Sequence, residues 1–98
     1  MNPGTVMYFI DKLHDDILIL QENAKKISST RKIETKIQLY SSIYRESSKL
    51  NNIILDFELV LRNISTIQPE ALEILVDYQN IILKYKDTSM DRIKELEI

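Results

Sequence analysis

Apolar residues at the start of the chain recur at alternating spacings of four and three residues. The series comprises Val6, Ile10, Leu13, Ile17, Leu20, Ala24 and Ile27. This heptad spacing predicts an amphipathic helix with one continuous apolar seam. Residues 2–5 supply a loop and the N-cap candidate Thr5, while Lys25 and Lys26 lie near the end, where the helix dipole favours cations. We therefore predict a first helix over residues 5–28.

The segment 28–30, Ser-Ser-Thr, interrupts this periodicity. The next apolar series is out of step with Ile27 and consists of Ile33, Ile37, Tyr40 and Tyr44. A tight helix–helix turn explains the change, and Ser and Thr are good N-caps for the helix that follows. Arg31 and Lys32 would then lie in a first helical turn, where the dipole disfavours cations, so one long bent helix is the alternative.

A further apolar series begins in the middle of the chain and has a different phase from Tyr40 and Tyr44. It consists of Leu50, Ile54, Phe57, Leu61 and Ile64. A second helix over residues 31–64 would be about 50 Å long. A kink or a short break near residues 47–52 would explain the shift in phase, and a break would make the fold a four-helix arrangement.

The third helix has the clearest start. Residues 65–68 form the preceding loop, and Pro69 suits the first helical position, where its missing N–H costs nothing. The apolar residues that follow form two neighbouring stripes, Ala71, Ile74, Tyr78, Ile81 and Tyr85, and Leu72, Leu75, Ile82, Ile93 and Leu96. We predict a helix over residues 69–97 that contacts two partner helices. An interruption at residues 87–89, followed by a short helix from Met90, is the alternative.

These elements predict an all-α fold, an elongated antiparallel three-helix bundle with coiled-coil-like packing. The composition agrees, because one Gly and two Pro leave few turns and 44% apolar residues is too high a fraction for a disordered chain. A length of 98 residues fits a single helical domain over residues 1–98.

The residues for catalysis are scarce. The chain has one His and no Cys, so most acid–base and covalent mechanisms lack their usual groups. Asp11 and His14 share a helical face and could begin a metal site, but no other His or Cys completes a ligand set, which favours an ordinary solvated face. Adjacent acids diverge on a helix, and one glycine cannot build a phosphate loop. We expect no enzyme, no catalytic residue, no cofactor and no metal.

The N-terminus has no signal-like segment, and no apolar run reaches the roughly 18 residues of a transmembrane helix. We therefore expect an intracellular protein without a transmembrane segment. The sequence does not distinguish the cytoplasm from the nucleus.

Charge is concentrated around the two predicted turns, although the net charge is only -2. The basic tip comprises Lys25, Lys26, Arg31, Lys32 and Lys36. In an up-down-up bundle the end of the third helix returns to this tip, so we expect its acids Asp91, Glu95 and Glu97 to meet these cations. The alternative is a tip that contacts phosphate of a nucleic acid or an anionic lipid. Acids collect at the second turn, namely Asp56, Glu58, Glu70, Glu73 and Asp77.

Six apolar residues lie beside the seams, so that one three-helix core cannot bury them all. They are Tyr8, Phe9, Leu18, Ile19, Leu55 and Leu59. A small domain buries only about two-thirds of its unfolded surface, and such a surplus predicts burial against another protein chain, in a homo-oligomer or a larger complex.

The sequence therefore favours a non-catalytic helical assembly or adaptor protein that acts through coiled-coil-like protein–protein interaction. One alternative is a small nucleic-acid-associated regulator that uses the basic tip. The other is a peripheral membrane-associated helical protein.

Overall fold

The computed structural model describes residues 3–63 and 69–97. Three α-helices account for almost all of them: α1 (Pro3–Ser28), α2 (Ile33–Arg62) and α3 (Pro69–Leu96). The described ranges contain no strand. The predicted all-α three-helix bundle is confirmed.

The chain turns between α1 and α2, so the alternative of one long bent helix is wrong. The Ser and Thr side chains end α1 and do not cap α2. Ser28 Oγ donates to the Lys25 carbonyl at 2.7 Å, and Thr30 Oγ1 donates to the Lys26 carbonyl at 2.7 Å. These hydroxyls satisfy carbonyls that the last turn of a helix leaves unpaired. The N-cap of α2 is Lys32, whose side chain makes no capping hydrogen bond.

α2 is one uninterrupted helix, so the short break near residues 47–52, and with it the alternative four-helix arrangement, is wrong. The apparent change of phase arises from Ser47, a fully buried residue that continues the buried stripe from Ile43 to Leu50. Its Oγ donates to the Ile43 carbonyl at 2.6 Å and to the Tyr44 carbonyl at 3.1 Å. Because its own helix satisfies the hydroxyl, a polar residue occupies a core position there.

α3 is also continuous, and it passes through residues 87–89 without the interruption considered above. It starts at Pro69, as predicted, and ends at Leu96. The predicted loop 65–68 and the last predicted residue of the second helix, Ile64, lie outside the described residues.

The three helices run up, down and up. The Phe9 ring stacks on the Phe57 ring at 3.8 Å between centroids, which brings the start of α1 to the end of α2. Asn51 and Gln79 hydrogen-bond across α2 and α3 at 3.2 Å. The Cα atoms span 50 × 20 × 15 Å. The apolar core runs along this rod and comprises Ile10, Leu13, Ile17, Leu20, Ile27, Ile43, Leu50, Ile54, Phe57, Leu61, Ala71, Leu75 and Ile82.

The helix pairs are packed unequally. The contact between α2 and α3 is the most extensive, and α1 lies against this pair with a smaller contact on each helix. The rod therefore has an antiparallel α2–α3 pair as its framework.

Candidate functional site

The buried stripe of α2 divides the surface of that helix into two flanks. Each residue that immediately precedes a stripe residue lies on one flank, and each that immediately follows lies on the other, since successive residues are ~100° apart. Glu46 and Lys49, which precede Ser47 and Leu50, line a groove between α1 and α2. Asn51, which follows Leu50, contacts α3. The two flanks therefore belong to two different surfaces of the bundle.

The groove between α1 and α2 has a volume of about 510 Å³. It is lined by Lys12, Asp16, Ile19, Leu20, Asn23, Ser42, Glu46, Lys49, Leu50 and Ile53. Four of these side chains are charged, and within residues 3–63 and 69–97 none of the four belongs to an ion pair. The groove is therefore mixed: four of its ten lining residues, Ile19, Leu20, Leu50 and Ile53, are apolar, and the other six are polar or charged.

The outer side of the α2–α3 pair is different, and two contacts define it. Asn51 bonds to Gln79, and the Lys86 ammonium lies 6.0 Å from the centroid of the Tyr44 ring. Tyr44 and Asn51 are seven residues apart on α2, as Gln79 and Lys86 are on α3. The two helices thus keep one antiparallel register along this side.

Helical spacing places apolar residues between and beyond these contacts. We call the surface the α2–α3 face; it comprises Tyr44, Ser48, Asn51, Leu55, Glu58 and Leu59 of α2, and Leu72, Val76, Gln79, Leu83, Lys86 and Met90 of α3. Leu55 and Val76 are each 42% exposed, and Leu59 is 63% exposed. Leu72, Leu83 and Met90 are half-buried.

Charge is sparse on the α2–α3 face. Its charged side chains are Lys86, which packs on Tyr44, and Glu58. Arg62, which follows the buried Leu61, adds one more charge on this flank at the end of α2. A stripe of exposed Leu and Val with so few charges matches the fully buried centre of protein–protein interfaces, which is depleted in charged residues. The face therefore suits packing against another apolar helical surface.

The six residues predicted at a partner interface do not form one site. Leu55 and Leu59 lie on the α2–α3 face, whereas Ile19 lines the α1–α2 groove. Tyr8 and Leu18 are exposed on α1. Phe9 departs from the expectation, because it is half-buried and its ring stacks on Phe57 within the bundle.

Sequence reasoning missed the contribution of α3 to this face, above all Val76 and Leu83. Both follow a buried seam residue, Leu75 or Ile82, by one position. An apolar residue directly after a buried seam residue was the signal in the sequence that could have identified Val76 and Leu83. The sequence pattern showed that the apolar face of this helix is broad, but the spacing alone did not identify which flank a neighbouring helix covers.

The basic tip is assembled at the α1–α2 turn as predicted, and four of its five cations are exposed, with Lys36 half-buried. The expected ion pairs with Asp91, Glu95 and Glu97 do not form. Among the described residues the ion pair present is Arg92–Glu95, at 2.9 Å within α3. The cations of the tip therefore remain open to solvent or to an anionic ligand.

His14 is exposed, and its Nδ1 lies 3.4 Å from the Tyr78 hydroxyl, a long contact between α1 and α3. Across the described part of the chain no three His, Cys, Asp or Glu side chains are grouped closely enough to hold a metal ion. The Asp11–His14 pair gains no further ligand there.

None of the described helices has an apolar stretch long enough to cross a lipid bilayer. The charged and polar residues that interrupt every apolar series account for this. Comparison of the chain with protein family models, curated proteins and solved structures gives no match.

Proposed function

We propose that the protein is a non-catalytic helical assembly or adaptor protein that binds a protein partner through the α2–α3 face. The observation that supports this most strongly is the exposure of Leu55, Leu59 and Val76 side by side on the two most closely packed helices. A preformed surface on a rigid helix pair loses little entropy when a partner docks on it.

The energetics favour burial of this face. Fully burying one Leu or Val side chain contributes roughly 1.5 to 3 kcal/mol, and several such side chains offset a substantial part of the entropy lost on association. A partner would present a complementary apolar helical surface, with charges at the rim that select orientation.

Photo-cross-linking tests the proposal. Benzoylphenylalanine placed at Leu55 in the purified chain should form a discrete protein adduct in an extract of the source cells. Unlabelled parent protein should compete for this adduct, whereas an excess of the Leu55→Ser, Leu59→Ser variant should not. The same probe at Asp15, exposed on α1, is the control for random collisions.

The proposal is overturned by equal labelling from the two positions, or by competition that is the same with the parent and with the variant. Mass spectrometry of the adduct identifies the partner and distinguishes a second copy of this chain from a foreign protein.

The open cations of the basic tip favour a second candidate function, binding to nucleic acid. Replacing Lys25, Lys26, Arg31 and Lys32 with Ser should abolish such binding, and the parent's affinity should fall steeply with salt because phosphate contacts release counterions. The absence of duplex DNA or RNA binding by the parent at moderate salt would exclude this candidate.

A further inference from the structure

We propose that the α2–α3 face binds a second copy of this chain, packed antiparallel about a two-fold axis near the middle of α2. The inference rests on the proposed function and names its partner. Two observations support it: the distribution of charge along the rod, and the area of the side of the rod that carries the face.

The two ends of the rod have opposite charge. The end formed by residues 17–48 and 83–97 contains ten Lys and Arg against seven Asp and Glu. The opposite end, formed by residues 3–16, 49–63 and 69–82, contains three Lys and Arg against eight Asp and Glu. Two parallel copies would place like ends together, whereas two antiparallel copies place each cationic end beside an anionic end. Charge complementarity therefore selects the antiparallel arrangement.

The side of the rod that carries the face measures 50 Å by at most 20 Å, about 1,000 Å², and a standard interface buries about 800 Å² per partner. The α2 part of the face, residues 44–59, is only about 23 Å long, so the dimer reaches this area by packing along the whole side of the rod. In a dimer with a two-fold axis, the same surface of each copy forms the interface, so the apolar stripe of one copy packs against the same stripe of the other.

Sedimentation or light scattering over a dilution series measures the association. The parent should dimerise, and the Leu55→Ser, Val76→Ser variant should bind itself at least about tenfold more weakly, because two apolar side chains leave the interface. The matched control is Leu18→Ser, Ile19→Ser, which removes similarly exposed apolar residues from α1 and should leave the dimer unchanged. If circular dichroism shows that the test variant has lost helix, Leu59→Ser replaces it.

Spin labels report the orientation, because the chain has no Cys and each introduced Cys is unique. In the antiparallel dimer, labels on Gln38→Cys should lie about 30 Å apart along the rod, and labels on Asn52→Cys about 15 Å apart. In a parallel dimer both pairs would give the same short separation. Equal short distances therefore overturn the antiparallel arrangement.

A parent that stays monomeric at high concentration overturns the inference, and so does a dimer that the α1 control weakens as much as the test variant. Either result leaves the proposed function standing if photo-cross-linking at Leu55 still identifies a foreign protein. If the specific adduct at Leu55 is also lost, both the dimer and the proposed protein-binding function are overturned.

Discussion

Ser47 is a small polar residue in the fully buried stripe of α2, and its hydroxyl bonds to the carbonyls of Ile43 and Tyr44. Removing a hydroxyl whose acceptors remain in the helical hydrogen-bond ladder costs little. We expect Ser47→Ala to change the free energy of unfolding by less than about 1 kcal/mol. Ser47→Leu should destabilise by about 1 to 3 kcal/mol, because the larger side chain overpacks the site. Urea unfolding of the two variants, followed by circular dichroism, measures both values, and a more stable Leu variant would show a cavity at this position.

A second residue-scale prediction concerns α1. Ile17 is 4% exposed, and Ile17→Asp places a carboxylate in the apolar core, which should cost about 3 kcal/mol or more and lower the melting temperature sharply. Ile19→Asp is the matched control, since Ile19 is 54% exposed and only two residues away. Similar melting temperatures for the two variants, compared by circular dichroism, would contradict the burial of the α1 seam.

At the scale of the elements, α1 makes smaller contacts than α2 and α3 make with each other, and the Phe9–Phe57 stack joins its first half to α2. We expect Phe9→Ala to destabilise the protein by about 1 to 3 kcal/mol, less than a fully buried Phe, and to speed amide exchange in the first turns of α1. Tyr8→Ala is the control, because that side chain is 72% exposed. Unchanged exchange in α1 after loss of Phe9 would show that other contacts hold this end.

The helices also show which features of the fold can be predicted from the sequence. Heptad spacing and Pro69 predicted three helices with ends close to those observed, since helix periodicity and capping are local properties. The alternative of a break in α2 was wrong, because a hydrophobic pattern does not show that Ser47 is buried. Of the α2–α3 face, the sequence analysis predicted only Leu55 and Leu59 as interface residues. Assigning Val76 to the same face requires knowing which flank of α3 meets α2. That choice depends on the three-dimensional arrangement of the helices and not on spacing.

At the scale of the whole molecule, a nearly balanced chain becomes an electrically polar rod. The net charge is -2, yet the fold gathers ten of the thirteen Lys and Arg at one end, while the fifteen acids divide seven and eight between the two ends. The ion pairs expected between the tip and the end of α3 do not form, so this charge is not neutralised locally. At this scale the two proposals differ in whether the charged ends of the rod meet a second rod or a polyanion.

Salt separates these possibilities. Raising NaCl from about 0.02 M to about 0.5 M shortens the screening length from roughly 20 Å to roughly 4 Å, which removes the attraction between unlike ends of antiparallel rods. We expect the dimer dissociation constant, measured by sedimentation, to rise several-fold while apolar burial preserves the dimer. Replacing Lys25, Lys26, Arg31 and Lys32 with Ser should flatten this dependence without changing the helical content, because exposed charges contribute only about 0 to 1 kcal/mol each to folding. A salt dependence of the parent equal to that of the Ser variant would contradict the antiparallel arrangement, because the attraction between unlike ends would then contribute nothing to the association.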